Sequence, residues 1–95
     1  MKKIVEFKKY KDLNGYLLGQ IFVNGYSLTD PKLLQNPRTN QIQTHFVRDV
    51  EDNLVYVLEK TSKEKTVIIE IYDINNVFSL PSIYQVSNYK NIEYF

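Results

Sequence analysis

Two Asn-Gly pairs, Asn14-Gly15 and Asn24-Gly25, stand on either side of one apolar-rich run, Tyr16 to Val23. Asn-Gly between apolar residues is the strongest short-range hairpin signal. A type I′ turn needs positive φ at both central positions, and Asn and Gly tolerate it best. A turn at each end makes the run the middle strand of a three-strand antiparallel meander. With both loops two residues long, Leu13 faces Tyr16 and Val23 faces Tyr26. Phe7 then lies opposite Phe22, Lys8 opposite Ile21, Lys11 opposite Leu18, and Ile21 opposite Leu28. An aromatic pair such as Phe7–Phe22 contributes about 0.2–1 kcal/mol over an alanine pair. One face of the middle strand carries Tyr16, Leu18, Gln20 and Phe22, and the other Leu17, Gly19, Ile21 and Val23. Neither face is polar, so the strand is expected to be central and covered on both sides, or curled into a barrel. Gly19 lies mid-strand, where a glycine marks a bulge, a bend or a close backbone approach; a bend closing a small barrel is the reading taken.

The first strand, residues 3–11, points Val5 and Phe7 one way and Ile4, Glu6, Lys8 and Tyr10 the other. Its charges suit a sheet edge, where lysines discourage pairing with other chains. Residues 30–41 interrupt the alternation. Asp30 can cap a helix, Pro31 suits a first helical position, and Pro37 stops the run, which predicts one short helical turn near residues 31–36. Period-two alternation returns at 41–50, with Ile42, Thr44, Phe46, Arg48 and Val50 on the expected core face and Gln43, His45, Val47 and Asp49 opposite. A polar turn at Glu51-Asp52-Asn53 leads to a strand over Leu54 to Lys60. A charged loop over 61–65 leads to a strand over Thr66 to Tyr72, with Val67, Ile69 and Ile71 on its apolar face. This is a second meander. Beyond a turn at 73–76, short strands are expected at 77–80, 83–86 and 92–95, with a helical turn from Pro81 as the alternative to the middle one. The class is all-β: a small barrel or two-sheet sandwich forming a single domain over residues 1–95.

Composition limits the chemistry. The chain has 95 residues, 43% apolar and 24% charged, which is ordinary for a globular domain and too apolar for disorder. With no cysteine and one histidine, disulfides, thiolate chemistry and the usual zinc sites drop out. No run approaches the ~20 apolar residues of a membrane-spanning helix, and the start shows no signal-peptide core. No membrane association and a cytoplasmic location are therefore expected. Lys, Ile, Asn and Tyr are abundant, and their codons are AT-rich; this hints at an AT-rich genome and a phage or mobile element.

Net charge is +1, but residues 1–11 carry +4 from side chains, leaving −3 for the rest. Lys2, Lys3, Lys8, Lys9 and Lys11, with Tyr10, are the candidates for contacting single-stranded nucleic acid on such a barrel. The mildly acidic remainder weakens that field. His45 and Asp49 share a face but lie roughly 13 Å apart at strand rise, so they make no base–orienter pair. A small nuclease or hydrolase would need His45 helped by Arg38 or Arg48. Glu51, Asp52 and Asn53 lack a calcium-loop spacing. The three glycines are spent on two turns and a strand, leaving no phosphate loop. Neither a catalytic residue, a metal nor a cofactor is expected. The leading expectation is a non-enzymatic protein-binding module, a small inhibitor or accessory factor. Tyr84, Tyr89, Tyr94 and Phe95 would contact a protein partner or a second copy, because tyrosines are enriched at interface hot spots.

Overall fold

The computed structural model describes residues 3–60, 66–75, 78–79 and 92–95. Its strands are β1 (Val5–Lys11), β2 (Leu17–Val23), β3 (Tyr26–Ser27), β4 (Lys32–Leu33), β5 (Thr44–Asp49), β6 (Leu54–Lys60), β7 (Thr66–Asp73), β8 (Phe78–Ser79) and β9 (Ile92–Tyr94). All pairings are antiparallel. One sheet runs β1-β2-β3 with β4 also on β2; the other runs β8-β7-β6-β5-β9. The chain is all-β and sandwich-like, and the described strands form no closed barrel. The expected loop at 61–65, the strand at 83–86 and its helical alternative lie outside the described residues.

The two Asn-Gly turns differ. Asn24 and Gly25 both have positive φ, 52° and 83°, and Val23 pairs with Tyr26, as a type I′ loop requires. At the first turn only Gly15 is left-handed, with φ 80°. Gly15 N–H donates to Asp12 O (3.0 Å) and Asp12 N–H to Tyr16 O (3.0 Å), so three residues form the loop. That is a type I turn followed by a glycine bulge. The Asp12 carboxylate selects it by accepting from the N–H groups of Asn14 and Tyr16, each at 2.9 Å. The register therefore slips by one from the expected pairing. Phe7 faces Ile21, Lys8 faces Gln20, and Lys11 faces Leu17; there is no Phe7–Phe22 pair. The slip is the favourable outcome, because it aligns Val5 and Phe7 with Val23 and Ile21 on the buried face.

No helical turn forms near residues 31–36. Lys32 and Leu33 pair with Gly19 and Leu18 as β4 instead. Segment 26–34 is one strand along β2, broken by a bulge at Thr29-Asp30-Pro31. The gap is stitched by Ile21 N–H donating to Thr29 Oγ1 (3.1 Å) and by Gln20 Nε2 donating to Thr29 O (2.9 Å). The stretch before Pro37 is too short to nucleate a helix, whereas the free edge of β2 offers immediate partners.

Gly19 does not bend the sheet into a barrel; it makes room. A Cβ there would lie 2.8 Å from both Leu34 methyls and 2.9 Å from Phe7 Cε1. Leu34 and Phe7 occupy the space a side chain would take. From Leu34 the chain crosses to the second sheet through a Gln35–Ile42 bridge. Gln43 N–H donates to Leu34 O and Lys60 N–H donates to Gln43 O, each at 2.9 Å, so Gln43 is the corner joining the sheets.

Between the sheets lie Ile21, Val23, Leu28, Leu34, Phe46, Val55, Val57, Tyr72 and Ile74, with Val5, Phe7 and Leu17 at the margin. Ile74, expected in a turn, is 2% exposed and plugs this core. A second cluster, Val47, Leu54, Tyr56 and Ile71 with Leu58 and Ile68, occupies the opposite face of the β5-β6-β7 sheet. Both faces of β5 are thus used: Val47 and Asp49 are buried, while Ile42 and Val50, expected in the core, are exposed. Alternation in β7 fails because a bulge leaves Ile69 unpaired between Glu70 and Ile68. Ile68 thereby joins Ile71, and Val67 and Ile69 are turned outward.

Polar contacts also tie the sheets. Lys3 Nζ donates to the carbonyls of Ile74 (3.1 Å) and Asn75. Lys32 of β4 pairs with Glu70 of β7, which also accepts from the Tyr72 hydroxyl. Burial first, then the hydrogen bond to Glu70 and its charge, push the Tyr72 phenol well above its ordinary 10.0.

Gly19→Ala is expected to lower unfolding free energy by about 1–3 kcal/mol, the usual cost of overpacking a core. In Leu34→Ala the same substitution should cost less, with Phe7 as the remaining close neighbour, and urea denaturation of the four-member cycle reads the coupling. For Tyr72 the folded-state value is raised, so its contribution is full below the unfolded value near 10 and declines as pH rises above it. The thermal midpoint of the wild type should fall through that alkaline window more steeply than that of Tyr72→Phe.

Candidate functional site

A cleft of about 300 Å³ opens between the sheets, beside the Gln43 corner. Phe7 and Lys9 of β1 and Leu17 of β2 form one wall; Thr44, His45 and Phe46 of β5, with Tyr94 and Phe95, form the other. Leu34, Gln35 and Ile42 close the end. The volume is at the small end of the range for ligand pockets.

Each wall follows from the ladder that precedes it. Phe7 leans over Gly19 and reaches Phe46, with ring centroids 5.2 Å apart and planes at 46°. Tyr94 pairs with Val47, and Phe95 N–H donates to Phe46 O (3.2 Å), so the pairing of β9 extends one residue beyond Tyr94. That sets Phe95 at 5.9 Å from Phe7, tilted 44°. Tyr94 meets His45 edge to face at 5.9 Å and 82°. Tyr94 is 71% and Ile42 55% exposed, which leaves an apolar rim in water.

Of the four expected protein-contact residues, Tyr94 and Phe95 converge on this cleft, and Tyr84 and Tyr89 lie outside the described residues. Ile42, Lys9 and Phe7 also belong to it and were not singled out as a group by the sequence, because they meet only across the sandwich. The basic residues diverge. Lys9 borders the cleft, with Nζ 5.7 Å from the Phe7 ring centroid. Lys8 points to the outer face, 4.8 Å from the Phe22 centroid, where Tyr10 donates to Gln20 Oε1 (3.2 Å). Lys3 is engaged at the far end of β1, Lys11 is exposed, and Lys2 is outside the described residues. Among the described strands β1 lies at a sheet edge, where its lysines suit it.

His45 lies in the cleft wall on the same face of β5 as Val47, whereas Arg48 is on the Phe46 face and donates from Nη2 to Asn53 Oδ1 (3.1 Å). Arg38 is exposed in the turn before Ile42. Asp49 Oδ1 accepts from the N–H groups of Glu51 and Asp52, closing the polar turn expected there. Among the described residues, no three His, Asp or Glu side chains are grouped to hold a metal ion, and no helix is long and apolar enough to cross a membrane. No family model, no curated protein and no solved structure matches the chain.

Rim residues carry little of the fold. Ile42→Ser should therefore change unfolding free energy by no more than about 0.5 kcal/mol in urea denaturation, in contrast to Gly19→Ala.

Proposed function

We propose that this chain is a non-enzymatic protein-binding module that receives an apolar side chain of its partner in the cleft between the sheets. The observation that carries this reading is the convergence of the Phe7, Phe46 and Phe95 rings on one cleft whose rim, Tyr94 and Ile42, is exposed. An aromatic-walled pocket with an apolar rim is the usual seat of a hot-spot side chain. The packed walls come from strands rather than loops, so the cleft is pre-organised and its occupant has little ordering cost to offset. A small inhibitor or accessory factor fits that description.

The rival readings have thinner support. Nucleic-acid binding needs basic and aromatic side chains on one surface, and here Lys8 and Tyr10 face away from Phe7 and Lys9. Hydrolysis at His45 needs a helper, and Arg48 is on the opposite face.

Panning a random-peptide library against the folded protein tests the proposal. Peptides that shift the amide resonances of Lys9, Ile42, His45 and Tyr94, and bind Tyr94→Ala about ten-fold more weakly, support it. An absence of enriched sequences, or enriched peptides that shift resonances elsewhere, overturns it.

A further inference from the structure

We infer that the partner segment is an extended acidic peptide, with its apolar anchor in the cleft and its carboxylates against Lys9 and Lys11. The inference rests on the protein-binding reading above and adds the partner's charge and backbone form. Three observations carry it.

The first is the charge of the lining. Among the described side chains the lining includes the Lys9 ammonium and the His45 imidazole, and no Asp or Glu. A cation at the mouth of an apolar cleft favours an anionic neighbour to whatever fills it. No ion pair among the described residues joins Lys8, Lys9 or Lys11 to a carboxylate, and Glu70 is paired with Lys32 in a different part of the sandwich.

The second is spacing. Lys9 and Lys11 follow Val5 and Phe7 in alternation, and their cross-strand partners Gly19 and Leu17 lie on the cleft side of β2. Two residues of strand are roughly 7 Å, the same repeat that an extended peptide presents on one side. An anchor with acids at every second position beyond it therefore matches a cleft with lysines at every second position beside it. Opposite charges placed directly across two strands are favourable, and like charges are not.

The third is the edge. β1 pairs with β2 on one side, and no described strand pairs with its other side. Among the described strands this edge is open to pairing, and it carries Lys9 of the cleft wall, the arrangement used in recognition by strand addition. Its lysines repel a basic strand and admit an acidic one, so the same side chains that blunt the edge also select what may join it.

Nucleic acid shares the negative charge, but the rings are poorly placed for it. Phe7 is tilted against both Phe46 and Phe95, and Tyr94 is edge-on to His45, so they form an angled pocket rather than a stack of open platforms.

The test uses fluorescein-labelled peptides with a central phenylalanine, threonine as filler, and glutamate at every second position on both sides. Matched peptides carry serine or lysine in place of glutamate, or alanine in place of phenylalanine. Fluorescence anisotropy at low salt should rank glutamate above serine above lysine, with the alanine peptide about ten-fold weaker than its parent. Lys9→Glu/Lys11→Glu should weaken the glutamate peptide about ten-fold and strengthen the lysine peptide, and salt should flatten the ranking. Both substitutions are at exposed positions, and a retained urea midpoint confirms that the variant folds. Equal binding of the serine and glutamate peptides overturns the acidic preference and leaves the protein-binding module standing. Failure of all the peptides, or tighter binding of oligothymidylate than of the glutamate peptide, overturns the inference; the library panning then decides the broader reading independently.

Discussion

The space above Gly19 is the point on which the architecture turns. The strand conformation there is one any residue could adopt, and what matters is that no Cβ stands in the way of Leu34 and Phe7. Leu34 holds the interrupted strand of residues 26–34 against β2 and starts the crossover to the second sheet, where its carbonyl accepts from Gln43. Phe7, leaning over the same spot, meets Phe46 and Phe95 instead of packing flat on its own sheet. One missing side chain thus fixes both the corner that joins the sheets and the aromatic wall of the cleft. Interiors at crystal-like density transmit such a local choice, because neighbouring side chains have no slack to absorb it.

The strand order of both meanders was legible because it depends on local signals. Asn24-Gly25 specifies a two-residue loop by backbone conformation alone, and the run Leu54 to Lys60 is bounded by turn residues at both ends. Registers were less legible where a side chain outbids the turn motif. Asp12, two residues before Asn14, captures two N–H groups and converts the loop to three residues. Its presence ahead of Asn-Gly was the signal that could have corrected the pairing. In the same way the bulge at Ile69 reverses the faces of β7 without any glycine or proline to mark it. The helical turn near Pro31 was a fair local reading. It lost to pairing with β2, a competitor visible only once the meander exists.

The cleft was legible in part. Tyr94 and Phe95 stand out by their aromatic character and place in the chain, but a wall needs two sides. Lys9, Leu34, Ile42 and His45 are separated along the sequence and meet through the sandwich. Alternation says which face of a strand a residue takes; it does not say which strand lies across from that face. That choice is made by the crossover at Gln43 and by the packing of Leu34, and both follow from tertiary burial rather than propensity.

The electrostatic arrangement has a consistent physical logic. A cleft lined by rings and aliphatic side chains, bordered by an edge that no described strand pairs, is also the kind of surface through which copies of a chain would pair indiscriminately. Lysines on that edge raise the cost of self-pairing, since two copies would set like charges across from each other. The cost vanishes for a strand of opposite charge. On the proposed reading solubility and selectivity are one requirement, met by the basic first strand set against an acidic remainder of the chain. Among the described residues Lys9 stands over the Phe7 ring and joins no ion pair. Such a contact holds the ammonium at the cleft mouth for about 0.5–1 kcal/mol at an exposed site, so a carboxylate can recruit it without breaking a salt bridge first.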